Sequence, residues 1–213
     1  MRPVAALYID HQGPYPGLIC DHWDAARDAR LYDGPHPVVA HPPCGPYSKQ
    51  RHNYRGDEHD CAPRAVRQVR TWGGVLEHPA GSKLWGAPVP TEHDDWWQPL
   101  PLPGAARDSS GGFTIEVHQV EWGHVARKPT WLYIVGVSAE AVAELVATRP
   151  HPGRAPTHWC SGSRTNKGGG SVPPGIKVCS AQQRRRTPIA FARFLLELAS
   201  RTERPVSVHE RSA

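Results

Sequence analysis

Nothing in this sequence is long and apolar. No apolar run approaches 18 residues, so no transmembrane helix is expected. The first residues lack a basic segment followed by a long apolar stretch; no secretory signal is read, and the expected setting is cytoplasmic. Apolar residues are scarce overall, at 38% of 213, below the ~45–50% of ordinary globular chains. Phe is scarce too, with three against eight Trp and six Tyr, a bias that places some aromatics on surfaces or in a cleft and the rest in the core. No CxxC pair and no HExxH run is present, and the zinc-deaminase signature is missing as well. The close pairs Cys20-x-His22 and His158-x-Cys160, with Cys179 further on, match no zinc pattern, and no metal is expected.

Gly and Pro are plentiful, at 20 and 23, about a fifth of the chain. That composition excludes a helical bundle and predicts long loops around a compact core. A net charge of +5 and a pI near 9.1 fit an anionic partner such as nucleic acid, and equally an Arg-rich composition of high-GC origin. Five Cys is an odd number; in a reducing compartment they need not pair, and one is a candidate nucleophile or ligand.

Short apolar stretches alternating with turn-rich gaps predict an α/β fold with a mostly parallel sheet. Residues 3–10 (PVAALYID) read as a strand ending in Asp10, 37–44 (PVVAHPPC) as a strand running into two prolines and Cys44, and 73–79 (GGVLEHP) as a strand carrying Glu77 near its end. Alternation over 113–123 predicts a half-buried strand, and the continuous apolar run 131–137 a central one. Helices are predicted over 61–72, over 138–148 with Ser138 as N-cap, and over 187–201. In the last, Thr187 is expected to cap, Pro188 to enter the first turn, and Ile189, Phe191, Phe194, Leu195 and Leu198 to form one face. Residues 21–32 have weak helical character, 86–112 and 150–186 read as loops, and 205–213 as a frayed tail. One domain over 1–204 is expected.

In open α/β sheets ligands bind beyond the carboxyl ends of the strands, so Asp10, Cys44 and Glu77 are expected along one edge. A cysteine after two prolines is held rigidly, and its thiolate is a nucleophile. Taken alone, Cys44 reads first as a buried structural thiol.

The surrounding residues add to this. Pro42-Pro43-Cys44-Gly45-Pro46-Tyr47-Ser48, followed by Arg51, resembles the catalytic loop of the DNA cytosine-5 methyltransferases, which runs Pro-Cys-Gln, an aromatic, Ser and a basic residue. Glu77-His78-Pro79, 33 residues after Cys44, resembles the family's Glu-Asn-Val. GHVARKPT, residues 123–130, resembles its basic strand motif, and the run to Ile134 looks like short phage-type cytosine methylase-like proteins. The final helix beginning Thr-Pro fits the same group. The resemblance covers roughly residues 37–136 in order, plus the last helix.

The resemblance implies a Rossmann-like methyltransferase-type domain, S-adenosylmethionine as methyl donor and DNA as partner. The Cys44 thiolate would add to cytosine C6, turning C5 into an enamine-like carbon. Glu77 would supply or share a proton at N3, with a pKa raised by burial. Pro43, Ser48, Arg51, His78, Arg127, Lys128 and Thr130 would line the substrate. Arg127 and Lys128 would face the base O2, a phosphate or Glu77, and read equally as a solvated strand end. Asp10 and Asp28 are the candidates for the cofactor. A target in duplex DNA would be flipped out of the stack.

Departures keep other readings open. The Gly-rich donor loop is missing, and HQGPYPG (11–17) is its candidate substitute. Only 34 residues separate Asp10 from Cys44, too few for the usual first two βα units, so the sheet is expected to be truncated and ALYID looks like the family's second strand. Gly45 stands for the family's Gln and His78 for its Asn. A recognition domain has little room; the stretch 150–186, with Arg154, Arg164, Lys167, Lys177 and Arg184–Arg186, would track phosphates or form a solvated loop. Three readings follow: methyl transfer to C5, a donor-independent reaction of the same Cys/Glu pair such as deamination, and a non-catalytic nucleic-acid-binding relic. The substrate would be cytosine in DNA or a free cytosine nucleotide. A homodimer would complete a truncated sheet.

Overall fold

The computed structural model describes residues 2–48, 51–86, 99–160, 172 and 174–203. The tail 205–213, Arg164, Lys167 and much of the loop after Gly86 lie outside the described residues.

Six strands form one mixed, mostly parallel sheet. They are β1 (Ala5–Leu7), β2 (His22–Trp23), β3 (Val38–Ala40), β4 (Gly74–Pro79), β5 (Phe113–His118) and β6 (Pro129–Val135). Their spatial order is β2-β1-β3-β4-β6-β5. The first four run parallel, and β6 is antiparallel to both of its neighbours. The sheet therefore carries two strands outside β3, where the sequence suggested one. The second, β2, is two residues long, too short for any periodic signal, and it occupies the segment expected to be weakly helical. Because β1 lies between β2 and β3, ALYID holds the inner position and not the outer one.

Side chains alternate across the strands, and the two faces bury different helices. Ala6, Val39, Val75, Leu132 and Ile134 pack with α2 (Ala139–Ala147) and α4 (Ile189–Ser200). Leu7, Val38, Ala40, Leu76, Tyr133 and Val135 pack with α1 (Cys61–Trp72). In α1, Ala62, Ala65, Val66 and Val69 recur at helical spacing and are wholly buried. α2 starts where expected, with the Ser138 hydroxyl accepting from the Ala141 N–H at 3.1 Å. α4 differs in detail: Pro188, not Thr187, holds the N-cap position without a side-chain cap, and Ile189 is 55% exposed, outside the buried face. Within 150–186, read as loop, the chain forms the small parallel pair β7 (His158–Trp159) and β8 (Lys177–Val178) and the short helix α3 (Ala181–Arg185).

Two contacts fix the register that matters for the site. Val38 pairs with Gly74, and Gly74, at φ +113, lets the backbones close: a Cβ there would run into the Val38 carbonyl. Arg70 of α1 donates to Asp108 at 2.9 Å, and the Tyr133 hydroxyl donates to the same carboxylate oxygen at 2.7 Å. This ion pair is nearly buried, at 10% and 6% side-chain exposure, and ties α1 to the segment entering β5. Asp108→Ala removes the carboxylate that offsets a buried guanidinium, and is expected to cost about 3–5 kcal/mol. Urea unfolding checks this; a loss under about 1 kcal/mol, the worth of a surface pair, would contradict it.

Candidate active site

The strand order reverses between β1 and β3, since the chain goes outward from β1 to β2 and returns past β1 to β3. Ligands of open α/β sheets bind outside the carboxyl ends of the strands at such a reversal. The segments leaving β1 and β3 there carry Asp10 and His41 to Cys44, and β4 itself carries Glu77.

Register then decides what touches what. Ala40 pairs with Leu76, so the next positions, His41 and Glu77, lie side by side on the face that holds Val39 and Val75. His41 Nδ1 lies 3.0 Å from Glu77 Oε2. A carboxylate only accepts, so Nδ1 carries the hydrogen, and in that tautomer Nε2 accepts from the Tyr15 hydroxyl at 2.6 Å. The other carboxylate oxygen, Oε1, accepts from Gln119 Nε2 at 3.0 Å, and the same amide donates to Thr130 Oγ1. A hydrogen-bonded chain thus runs Tyr15–His41–Glu77–Gln119–Thr130. Tyr15, His41 and Gln119 were not singled out in the sequence. His41 is the residue before Pro-Pro-Cys, and strand register alone would have pointed to it.

These partners overturn one expectation. Burial pushes the Glu77 carboxyl up, but it is outweighed by the His41 hydrogen bond and charge, then by Lys128 and His78, which together lower it to about 2. Glu77 is an anion at neutral pH, not a protonated acid.

Cys44 is exposed at the start of the turn Gly45–Tyr47. Partial desolvation and the Glu77 charge raise its pKa above the ordinary thiol value, while a backbone hydrogen bond, Lys128 and Arg185 pull the other way. The resting group is a thiol. Gly45 has a steric reason: a Cβ there would meet the Tyr54 ring, so the family's Gln has no room. Pro46 and Tyr47 are buried and anchor the loop, with the Tyr47 hydroxyl donating to the His59 carbonyl at 2.9 Å. Pro43 and Ser48 are half-buried beside Cys44, and Arg51 is exposed in the next turn.

His78 and Thr130, expected at the substrate, have no exposed surface. His78 falls on the opposite face to Glu77 by strand alternation, between Tyr47 and Trp85, with Nδ1 2.7 Å from Ser82 Oγ. Thr130 shares the Glu77 face but lies beneath Gln119. Both support the site from below and do not line it. Burial lowers the His78 pKa to about 4, against the pull of Glu77, so the ring is neutral.

Arg127 is exposed, and its Nε lies 3.4 Å from His118 Nδ1. Lys128 is half-buried at φ +42, a conformation a lysine seldom adopts, with Nζ donating to the Arg186 carbonyl at 3.1 Å. The buried His124 bridges to the Gln183 carbonyl at 2.9 Å and so holds α3, which carries Arg185, against the β5–β6 connection. The Gly-His of the basic motif therefore has a structural task.

The donor-pocket residues fit poorly. The turn after β1 places Tyr15, 3% exposed, against His41 at the strand reversal, where the family's Gly-rich loop would leave space. Asp10 is exposed, and its carboxylate accepts from the Gln12 N–H. Asp28 has both oxygens taken by Arg30, at 2.8 and 3.0 Å, and caps the turn Ala29–Leu31.

Comparison with protein-family models, curated proteins and solved structures gives no match to this chain. Among the described residues no three His, Cys, Asp or Glu side chains gather as metal ligands, although the Cys160 and Cys179 sulfurs touch at 2.7 Å.

Two outcomes are expected of this site. Between pH 6.5 and about 4 an unfolded His78 binds a proton that the folded one refuses, so stability rises with pH across that window, by about 3 kcal/mol in all. Below pH 4.5 protonation of Glu77 in the unfolded chain adds a second loss in the same direction as its folded value of about 2 is approached. Thermal unfolding from pH 7.5 to 4 reads the slope, and His78→Asn should flatten its upper part; an unchanged slope would remove His78 as its source. Secondly, alkylation of Cys44 by iodoacetamide should still be accelerating at pH 9, and Glu77→Gln should speed it at pH 7.5 by removing the opposing charge. A plateau near neutral pH would contradict the raised thiol.

Proposed function

We propose that this protein modifies cytosine through a covalent Cys44 adduct, in the manner of the DNA cytosine-5 methyltransferases, on a Rossmann-like methyltransferase-type fold. One observation carries the reading: a cysteine follows β3 on a Pro-Pro turn, a largely buried carboxylate stands on the adjacent parallel strand β4, the Glu77 charge acts on Cys44, and Lys128 acts on both. A structural cysteine has no need of that company.

The chemistry follows from the ring. The Cys44 sulfur bonds to C6, the C5–C6 double bond opens, and negative charge develops over C5, N3 and O2. Glu77, anionic at rest, takes up the proton that the Cys44 thiol gives up as the sulfur bonds, and passes it to N3 as that charge grows. Gln119 and His41 keep the carboxylate in place and are positioning residues. Lys128 stabilises both the thiolate and the ring charge. C5 is then ready for an electrophile.

A second reading is favoured by Tyr15 at the place where a donor would bind. Opening the 5,6 bond also exposes C4 to water. C5 takes a proton from water, water adds at C4, ammonia leaves, and loss of the C5 proton with expulsion of the Cys44 thiolate restores the double bond. That sequence converts cytosine to uracil without a donor.

The two share the adduct, so the adduct is tested first. A single-stranded oligonucleotide of mixed context, with pyrimidin-2-one in place of cytosine, should form a denaturation-resistant complex with the protein, lost in Cys44→Ala and slowed about 100-fold or more in Glu77→Gln. No Cys44-dependent complex with the oligonucleotide or with the free nucleotide would sink both readings. Mass analysis of cytosine DNA with and without S-adenosylmethionine then separates a methylated product from a deaminated one.

A further inference from the structure

Beyond the end of β4 the chain forms a groove that the adduct chemistry does not use. It has a volume of about 860 Å³, within the range of sites that hold a nucleotide-sized ligand. Pro79 and Ala80 form one end, two and three residues past Glu77 on the same strand exit. Arg127 and Lys128 line it from the β6 side, and Arg154 and Trp159 from the segment entering β7.

Its chemistry is one-sided. Among the described residues none of Arg127, Lys128 and Arg154 has a carboxylate partner, whereas Arg27, Arg30, Arg64, Arg70 and Arg201 are each paired with an acid, and so is Arg149, with Glu121 of the groove wall. Trp159 is 38% exposed, while Trp85 and Trp122 are 3% exposed in the core. A half-exposed indole in the same groove as three cations without a carboxylate partner offers a stacking face and positive charge together, which match a phosphodiester with a base attached. Lys128 belongs to both places: it lines the groove, and its charge acts on Cys44 and Glu77.

We infer that this groove is a subsite for a single nucleic-acid strand, holding the nucleotide next to the reacting cytosine, with phosphates on Arg127 and Arg154 and the base stacked on Trp159. The inference rests on the reading of Cys44 and Glu77 as the reacting pair, and it makes a polynucleotide, not a free nucleotide, the substrate. Stacking on one indole reads no base edge, so the subsite tolerates any neighbour.

Fluorescence anisotropy with a labelled 12-nucleotide single strand tests it, on the full chain across a salt series. Wild type should bind with an affinity that falls linearly with log salt, and removing each of Arg127 and Arg154 as Ala should lower the slope by about 0.7. Trp159→Ala should weaken binding about tenfold with the slope unchanged, and Trp159→Phe should recover most of it. Thermal unfolding of each variant establishes that it is folded. If the oligonucleotide binds and the groove variants bind as wild type does, the subsite is wrong while the Cys44 reading stands. The subsite is equally wrong if Trp159→Ala binds normally and only total charge matters. If the groove variants lose binding but no Cys44 adduct forms, the subsite stands and the adduct chemistry fails. Absence of any oligonucleotide binding, with an adduct on the free nucleotide, overturns the subsite alone.

Discussion

A carboxylate taken out of water must be surrounded by donors, and Glu77 is the group to which this structure answers. His41 meets one oxygen and Gln119 the other. To bring them there, β3 must lie beside β4 in one register, and the turn after β5 must fold back over the start of β6. Gly74 permits the first by letting two backbones approach. Thr130, holding the Gln119 amide from beneath, fixes the second. Shifting the β3–β4 register by one residue would turn His41 to the other face and leave a buried charge without its strongest donor. The fold and the site are therefore specified by the same contacts.

The arrangement also has a cost, which bears on function. The donors that stabilise Glu77 as an anion make it a charge that disfavours the Cys44 thiolate. A site built only for a reactive cysteine would place a cation or a neutral base beside it. Here burial and the Glu77 charge keep the thiol protonated, and Lys128 and Arg185 are the cations that pull towards the thiolate. A thiol that is quiet without substrate is the expected property of a nucleophile whose target is a weakly electrophilic ring.

The sequence disclosed the elements that have length or punctuation. α1 was legible to the residue because its apolar positions recur at helical spacing between Pro63 and Gly73, and Ser138 marked the start of α2. β1, β3 and β4 stood out as buried apolar runs. The two-residue strands β2, β7 and β8 carry no periodicity and exist only through their pairing partners, while the five-residue α3 is too short for periodicity and is marked only by its Ser180–Gln183 capping box. Cys44 and Glu77 were legible as strand-end residues. Their surroundings were not, because contact across strands depends on register, which a single sequence does not state. The same gap explains His78 and Thr130. Alternation from Leu76 puts His78 under the sheet, and alternation from Leu132 puts Thr130 beneath the site, once the ends of the strands are known.

The departures from the family pattern are of two kinds. Gly45 is a local exchange: the Tyr54 ring takes the space of a side chain, and the turn that presents Cys44 survives. Tyr15 is of another kind: at the strand reversal stands a buried phenol that extends the Glu77 chain by one further hydrogen bond. Burial and the Glu77 charge keep that hydroxyl protonated, so it acts as a fixed donor to His41. On the proposed reading, space for a second substrate goes to orienting the acid partner of the first, and the groups that would activate a pyrimidine are braced while those that would deliver a methyl group are not; the electrophile, not the adduct, is then the open term in the reaction.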